Sequence, residues 1–221
     1  MNRNRFGLLC IICLIGAGCS PLAPRRDYSK FFILSPLSAN APGTMTASTA
    51  SRPDPRLTLG IGPIDFPDYL RRPELVTLTS SNQIELSQER RWGERLDKNF
   101  SRVLSEDLSR LLNTQQIEKY PWSHKTQVDY QIVLDVQRFE TSSEGQSQLV
   151  ARWIIKEGST GKDLYASETN VTTPVAGGDA GAFVALSKDL ATLSREIAAR
   201  LSELSRHRNY SPSQVVEPEN G

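Results

Sequence analysis

Nine residues set the first limit on what this chain can fold into. Val128, Tyr130, Ile132, Leu134 and Val136 fall on every second position. Successive side chains of a strand point to opposite faces, so the pattern describes one apolar face of a β-sheet. Leu149, Ala151, Trp153 and Ile155 repeat it after a polar stretch at 142–145, which predicts a β-hairpin. A weaker third strand follows over 163–171. Earlier strands are predicted at 28–34, at 57–61 where Pro63 closes the run, and at 75–79 and 84–86 around Ser80-Ser81-Asn82.

Two segments carry the longer helical period. Over 92–112, Leu96, Phe100, Val103, Leu104, Leu108 and Leu111 recur at spacings of three and four, and Asn113 is placed to stop the helix. Over 182–204, Leu186, Leu190, Leu193, Ile197, Leu201 and Leu204 form a second stripe, with Asp179 placed to cap its start. The expected fold class is therefore α/β. We expect a single layered domain, its mixed sheet of about five or six strands covered by two long amphipathic helices. The alternating strands exclude a helix bundle, and the two helices exclude an all-β sandwich.

The N-terminus reads as an address. Residues 2–5 carry Arg3 and Arg5, and an apolar run follows over 6–15. That run is too short for the roughly 20 apolar residues of a bilayer-spanning helix and fits a secretory leader. Ile15-Gly16-Ala17-Gly18-Cys19 then resembles a lipobox, with Gly16 where Leu is usual. The competing readings are an ordinary signal peptide cut near Gly18 and a metal motif from Cys10, Cys13 and Cys19; two of those cysteines lie inside the leader. The lipobox reading makes 1–18 a lipoprotein signal peptide and 19–27 a lipidated tether. N-acyl and S-diacylglycerol groups on Cys19 are then the only non-protein groups expected, with no cofactor. Ser20, where Asp would retain a lipoprotein at the inner membrane, directs the anchor to the periplasmic face of the outer membrane. The domain would occupy 28–204, with a mobile loop at 35–55 and a disordered tail at 205–221.

Composition narrows the chemistry. The 221 residues carry a formal charge of +1, which loss of Arg3 and Arg5 turns to −1, so there is no electrostatic footprint for nucleic acid. With two histidines and three cysteines, most metal and nucleophile chemistries lack their ligands. His124 stands beside Trp122 without a second histidine at ligand spacing, and His207 falls in the expected tail. No serine stands in Gly-x-Ser-x-Gly, and Gly177-Gly178-Asp179-Ala180-Gly181 lacks the Lys-Ser/Thr end of a phosphate loop. The mixed charges of Glu89, Arg90, Arg91, Glu94, Arg95, Asp97 and Lys98 read as a solvated helix face. Neither an enzyme nor a metal site is expected.

One segment stands out. Phe66-Pro67-Asp68-Tyr69-Leu70-Arg71-Arg72-Pro73 holds an aromatic and an aliphatic residue between prolines, followed by paired arginines. It reads either as a rigid crossover that pins Tyr69 into the core or as a contact for a protein partner. Aromatic residues and Arg are enriched at such interfaces. Tyr69, Leu70, Arg71 and Arg72 are the candidate contact residues, and Trp122, in Tyr120-Pro121-Trp122, is a second aromatic patch.

Several features in a fixed order resemble a known family. They are Leu59-Gly60-Ile61-Gly62-Pro63-Ile64, the 66–73 segment, Trp92 and Leu96 before a helix, the 130–139 strand, Ala151-Arg152-Trp153 and the helix through Leu193 and Leu201. Together they resemble the ABC-transport auxiliary lipoproteins, the PqiC/YmbA family, over 27–204. Arg71 departs from the Asp more usual there, and the 35–55 loop is expanded. The resemblance implies a non-enzymatic outer-membrane lipoprotein of an MCE-type lipid transport system. Its partner would be a periplasm-spanning MCE-domain protein (PqiB-like), and a ring-shaped homo-oligomer would suit a symmetric tube. An assembly or pilot lipoprotein for another outer-membrane machine, and a lipid-binding carrier, are the alternatives.

Overall fold

The computed structural model describes residues 27–38, 56–123 and 125–210. The expectations for the leader, for Cys19, for His124 and for residues 211–221 lie outside the described residues.

Eight strands form one mixed sheet: β1 (Lys30–Phe32), β2 (Leu59–Asp65), β3 (Glu74–Ser80), β4 (Gln83–Trp92), β5 (Ile117–Lys119), β6 (Tyr130–Ser142), β7 (Gln146–Glu157) and β8 (Asp163–Pro174). Two helices, α1 (Leu96–Leu112) and α2 (Gly181–Tyr210), complete the α/β domain. The sheet runs β1-β4-β3-β6-β2-β5, while β7 pairs with β6 and β8 with β7. The β6–β7 hairpin is the expected one, with Leu134 opposite Trp153 and Ile132 opposite Ile155.

Strand β6 is long enough to serve two partners along one edge. Its first half pairs in parallel with β2, from Tyr130 opposite Leu59 to Asp135 opposite Asp65. Its last residues pair with β3, Thr141 opposite Thr77. The residues that join β2 to β3 therefore cross the stretch of β6 between these two pairings. A register shift between Val136 and Arg138 breaks the alternation there, so that Phe139, Glu140 and Thr141 are all buried.

The core lies between the sheet and the helices. Phe100, Val103, Leu104 and Leu108 of α1 are fully buried, as are Leu186, Leu190, Leu193 and Ile197 of α2. Phe139 of β6 meets Phe100 edge-on at 5.3 Å. Asn113 ends α1 as expected, in the left-handed conformation at φ 50°, its N–H donating to the Ser109 carbonyl.

Four features differ from the sequence reading. The sheet has eight strands rather than five or six; β5 spans three residues and carries no periodic signal. Trp92 ends β4 instead of opening α1. Its N–H donates sideways to the Pro73 carbonyl at 2.7 Å and the Gly93 N–H to Phe32 at 2.7 Å, so the helix cannot start before the chain turns. Asp179, expected to cap α2, pairs with Lys30. Helix α2 runs on to Tyr210, which puts His207 inside it, and Arg208 anchors the added turn. The Arg208 guanidinium donates to Asp129 at 2.9 Å and lies over the Tyr130 ring at 5.0 Å.

The N-terminal segment is clamped between the helices. The Leu34 N–H donates to Asn99 Oδ1 at 2.8 Å, Ser35 N–H to Ser187 Oγ at 3.0 Å and Leu37 N–H to Asp107 Oδ1 at 2.7 Å. Residues 35–38, expected within a mobile loop, are thus held by side chains of both helices; 39–55 lie outside the described residues.

Candidate partner-docking site

The 66–73 segment fills the gap between β2 and β3. Pro67 leads into a single 3-10 turn over Asp68–Leu70. Phe66 and Leu70 point inward and are buried, Phe66 meeting the Phe100 ring edge-on at 5.3 Å. Leu70, 2% exposed, therefore belongs to the core and not among surface contact candidates. Pro67 and Pro73 lack an N–H, so neither leaves a donor orphaned where the segment enters and leaves.

Tyr69 fastens the turn to β6. Its hydroxyl donates to Glu140 Oε2 at 2.9 Å and reaches the Gln137 carbonyl at 3.3 Å. Glu140 is buried and satisfied three ways: by Tyr69, by Arg138 Nε at 2.8 Å and by the Phe139 N–H at 2.8 Å. Burial, then the adjacent Glu140 charge, raises the Tyr69 phenol well above its ordinary pKa, keeping it protonated as a donor. The half-buried Tyr69 thus spends its polar end inside the molecule.

The two arginines differ. Arg71 is bound on three sides, to Asp65 at 2.6 Å, to the Phe66 carbonyl at 3.0 Å and to Asp68 at 3.6 Å. Arg72 donates from Nε to the Tyr69 carbonyl at 2.9 Å. It forms no ion pair among the described residues, so its charge is uncompensated there. Both line an open cleft of about 420 Å³ with Phe66, Trp92, Glu94 and Leu96. A second cleft of about 380 Å³, lined by Pro63, Ile64, Lys98, Arg102 and Tyr120, shares Glu94 and Asp97 with the first. The two clefts flank the N-terminal turn of α1, at the carboxyl end of β2.

Trp122 lies elsewhere. Its ring covers Gly60 of β2, where a Cβ would come within 2.6 Å of the indole, and it meets Tyr120 edge-on at 5.7 Å. Tyr69, Arg71 and Arg72 thus share one turn, while Trp122 sits beyond the second cleft's Tyr120. Sequence reasoning missed Asp65, Glu94 and Glu140. Asp65 and Glu140 carried no signal because their roles depend on the β2–β6 register. Glu94 lay within the mixed charges assigned to a solvated face; it accepts from buried Asn99 at 2.9 Å.

Among the described residues two other carboxylates are buried, and each has a structural partner set. Asp107 accepts from the Leu37 N–H and from Ser194 at 3.1 Å, joining α1 to α2. Asp189 accepts from Ser147 at 2.6 Å and from Thr173, joining α2 to β7 and β8. Burial raises the pKa of both. Among the described residues no His, Cys, Asp and Glu side chains group as a metal site, and no helix is long and apolar enough to cross a membrane.

The family model of the ABC-type transport auxiliary lipoprotein component matches residues 37–198, most of the chain. The chain belongs to this family. The ABC-type transport auxiliary lipoproteins, the YmbA/PqiC-like family, account for the order of features noted in the sequence. Membership makes this chain an auxiliary component of a transport system and a lipoprotein. No curated protein sequence matches it. Among solved structures it is similar to a Xanthomonas campestris protein assigned to DUF330, at TM-score 0.60 and 12% identity, covering 72% of this chain and 94% of that one. A second, described as an uncharacterized protein, gives TM-score 0.58 at 18% identity, covering 66% of this chain and 92% of that one. At these identities the likeness is one of fold.

Proposed function

We propose that this auxiliary lipoprotein is the outer-membrane-anchored subunit of an MCE-type lipid transport system. Acylated at Cys19, it holds the end of a periplasm-spanning MCE-domain protein at the inner face of the outer membrane and so supports membrane integrity. The observation that carries this reading is the match to the auxiliary-component family over 37–198. The 66–73 turn supports it: a rigid turn, stapled to β6 through Tyr69 and Glu140, holds Arg72 outward with its charge uncompensated among the described residues. A pre-organised Arg beside an open cleft is suited to a protein partner because little side-chain freedom is lost on docking.

The role is mechanical and uses no reaction chemistry. A ring of identical subunits would give a symmetric tube one repeated contact, and a closed ring satisfies every copy's interface. The deciding experiment is affinity capture of the acylated chain from detergent-solubilised membranes. The expected result is an MCE-domain protein in stoichiometric yield, with deletion sensitising cells to lipophilic compounds. Recovery of a secretin or a barrel-assembly component in its place would overturn the proposal. Native mass measurement decides the ring, a monomer at high concentration counting against it.

A further inference from the structure

We infer that the β1 edge of this domain lies on the phospholipid surface to which its own N-terminus is tethered. This inference rests on the proposed anchor at Cys19. Three large apolar side chains within six residues face solvent: Tyr28 is 67% exposed, Phe31 64% and Ile33 53%. Single exposed apolar residues are ordinary, but a cluster at the end of a sheet calls for an occupant.

Phe31 and Ile33 are held on one side. Phe32 and Leu34 take the inward positions of the period-two pattern, Phe32 stacking on Phe183 at 4.3 Å and Leu34 fully buried. Phe31 and Ile33 take the outward ones. Gly93 lies between them, where a Cβ would stand 3.4 Å from Ile33 Cγ2 and 3.7 Å from Phe31 Cβ. The Gly93 N–H fixes the strand from behind by donating to the Phe32 carbonyl at 2.7 Å. Polar backbone bonds and a buried stack thus hold Phe31 and Ile33 outward, unable to fold back onto the core.

The length of chain before this cluster names the occupant. From Cys19 to Asp27 there are eight peptide steps, which reach at most roughly 29 Å when fully extended. A domain of this size is roughly 40 Å across, from a radius of gyration of about 15 Å. A tether shorter than the domain's breadth turns the end it leaves toward the bilayer, and that end is β1. Aromatic and aliphatic side chains at such a boundary enter the headgroup region. Charge agrees: parallel pairing places Arg91 beside Phe31 on the outward face, and Arg25-Arg26 precede them in the sequence, whereas Lys30 and Arg90 fall on the opposite parity and Lys30 is committed to Asp179. Arg25, Arg26 and Arg91 suit anionic headgroups.

The test uses the full acylated chain in vesicles of phosphatidylethanolamine and phosphatidylglycerol at about 3:1, with and without acyl-brominated lipid. Phe31→Trp and Ile33→Trp are compared with Ser159→Trp, an exposed turn position between β7 and β8, after subtracting the signal of the unsubstituted chain. The expected result is added emission from the β1 variants that is blue-shifted and quenched at least threefold more strongly by brominated lipid than that of Ser159→Trp. Equal quenching at all three positions, on protein whose Cys19 acylation is verified by mass spectrometry, overturns this inference alone. A blue shift that grows with protein density without lipid quenching assigns the face to a second copy and also overturns it. Unacylated Cys19 overturns the anchor and this inference together.

Discussion

The Leu34 N–H donates to Asn99 Oδ1 at 2.8 Å, and both residues are fully buried. The bond joins the N-terminal segment of the domain to α1, at a point that water does not reach. Asn99 in turn donates to Glu94 Oε2 at 2.9 Å, so one hydrogen bond ties the clamp on the N-terminal segment to the rim of the larger cleft.

Asn99→Leu should leave the Leu34 N–H buried without an acceptor, at a cost of about 1–3 kcal/mol. For a domain of this size each kcal/mol corresponds to roughly 2–4 °C in Tm. Thermal unfolding should register the loss. Limited proteolysis should detect faster cleavage around 34–38, since the segment then loses its buried bond at Leu34 and is left with those to Ser187, Asp107 and Arg110.

Tyr69→Phe removes the donor from Glu140 while keeping the ring. The hydroxyl bond goes to a carboxylate, so the expected loss is about 1.5–3 kcal/mol. The phenol's raised pKa gives a pH signature. A folded pKa above the unfolded value of about 10 means that its contribution is intact below pH ~10 and is lost as pH rises through the folded value. Alkaline urea titrations should therefore show the gap between wild type and Tyr69→Phe closing above pH ~10. A gap independent of pH would contradict the Tyr69–Glu140 account.

Asp189 follows the same rule from the acid side. Burial raises its pKa above the ordinary carboxylate value despite the Ser147 and Thr173 hydroxyls. The protonated form then favours folding: its contribution is fully present below pH ~4, the unfolded value, and is lost as pH rises through the folded one. Asp189→Asn, which keeps an acceptor and carries no charge, should lose least relative to wild type near neutrality and most near pH 4. Paired urea melts across pH 4 to 7 check the slope.

Gly60→Ala tests the packing under Trp122. A Cβ there would lie 2.6 Å from the indole, so the ring must lift. Overpacking of this kind costs about 1–3 kcal/mol. The expected result is lower Tm together with red-shifted Trp122 emission, assigned by comparison with a Trp122→Phe background. Unchanged emission would mean that the ring does not rest on β2.

What was legible in the sequence was whatever depended on local period. Leu134 and Val136 announced β6, Trp153 announced β7, and Leu190 and Leu193 announced α2, because one apolar face repeats at a fixed spacing along each. Trp92 was misplaced because an apolar residue four positions before Leu96 fits a helical stripe. Its actual partners, Pro73 and Phe183, are distant in sequence. Strand β5 is too short to show a period, and its parallel pairing with β2 is set entirely by register. The 66–73 turn was visible through its prolines and arginines. Which of its residues faced inward was not, because that depends on Glu140, an acidic residue whose burial follows from a bulge in β6.

Arg71 and Arg72 carry the sharpest test of the docking proposal, because adjacent arginines have opposite circumstances. Arg71 is committed to Asp65 and the Phe66 carbonyl, so Arg71→Ala removes intramolecular bonds at an exposed site, worth at most about 1 kcal/mol for the ion pair. Among the described residues, Arg72 keeps only its Nε bond to the Tyr69 carbonyl. Arg72→Glu removes one hydrogen bond from a half-buried side chain, worth about 0.5–1.5 kcal/mol, so Tm should fall by no more than about 6 °C. It should nonetheless weaken capture of the proposed MCE-domain partner at least tenfold, since a reversed charge at an interface both removes an attraction and adds a repulsion. Arg71→Ala should weaken capture less than Arg72→Glu. Both quantities come from one preparation: a melting curve and a titrated pull-down from solubilised membranes. Undiminished capture by Arg72→Glu would remove the 66–73 turn from the interface and leave the clefts beside α1 without their proposed use.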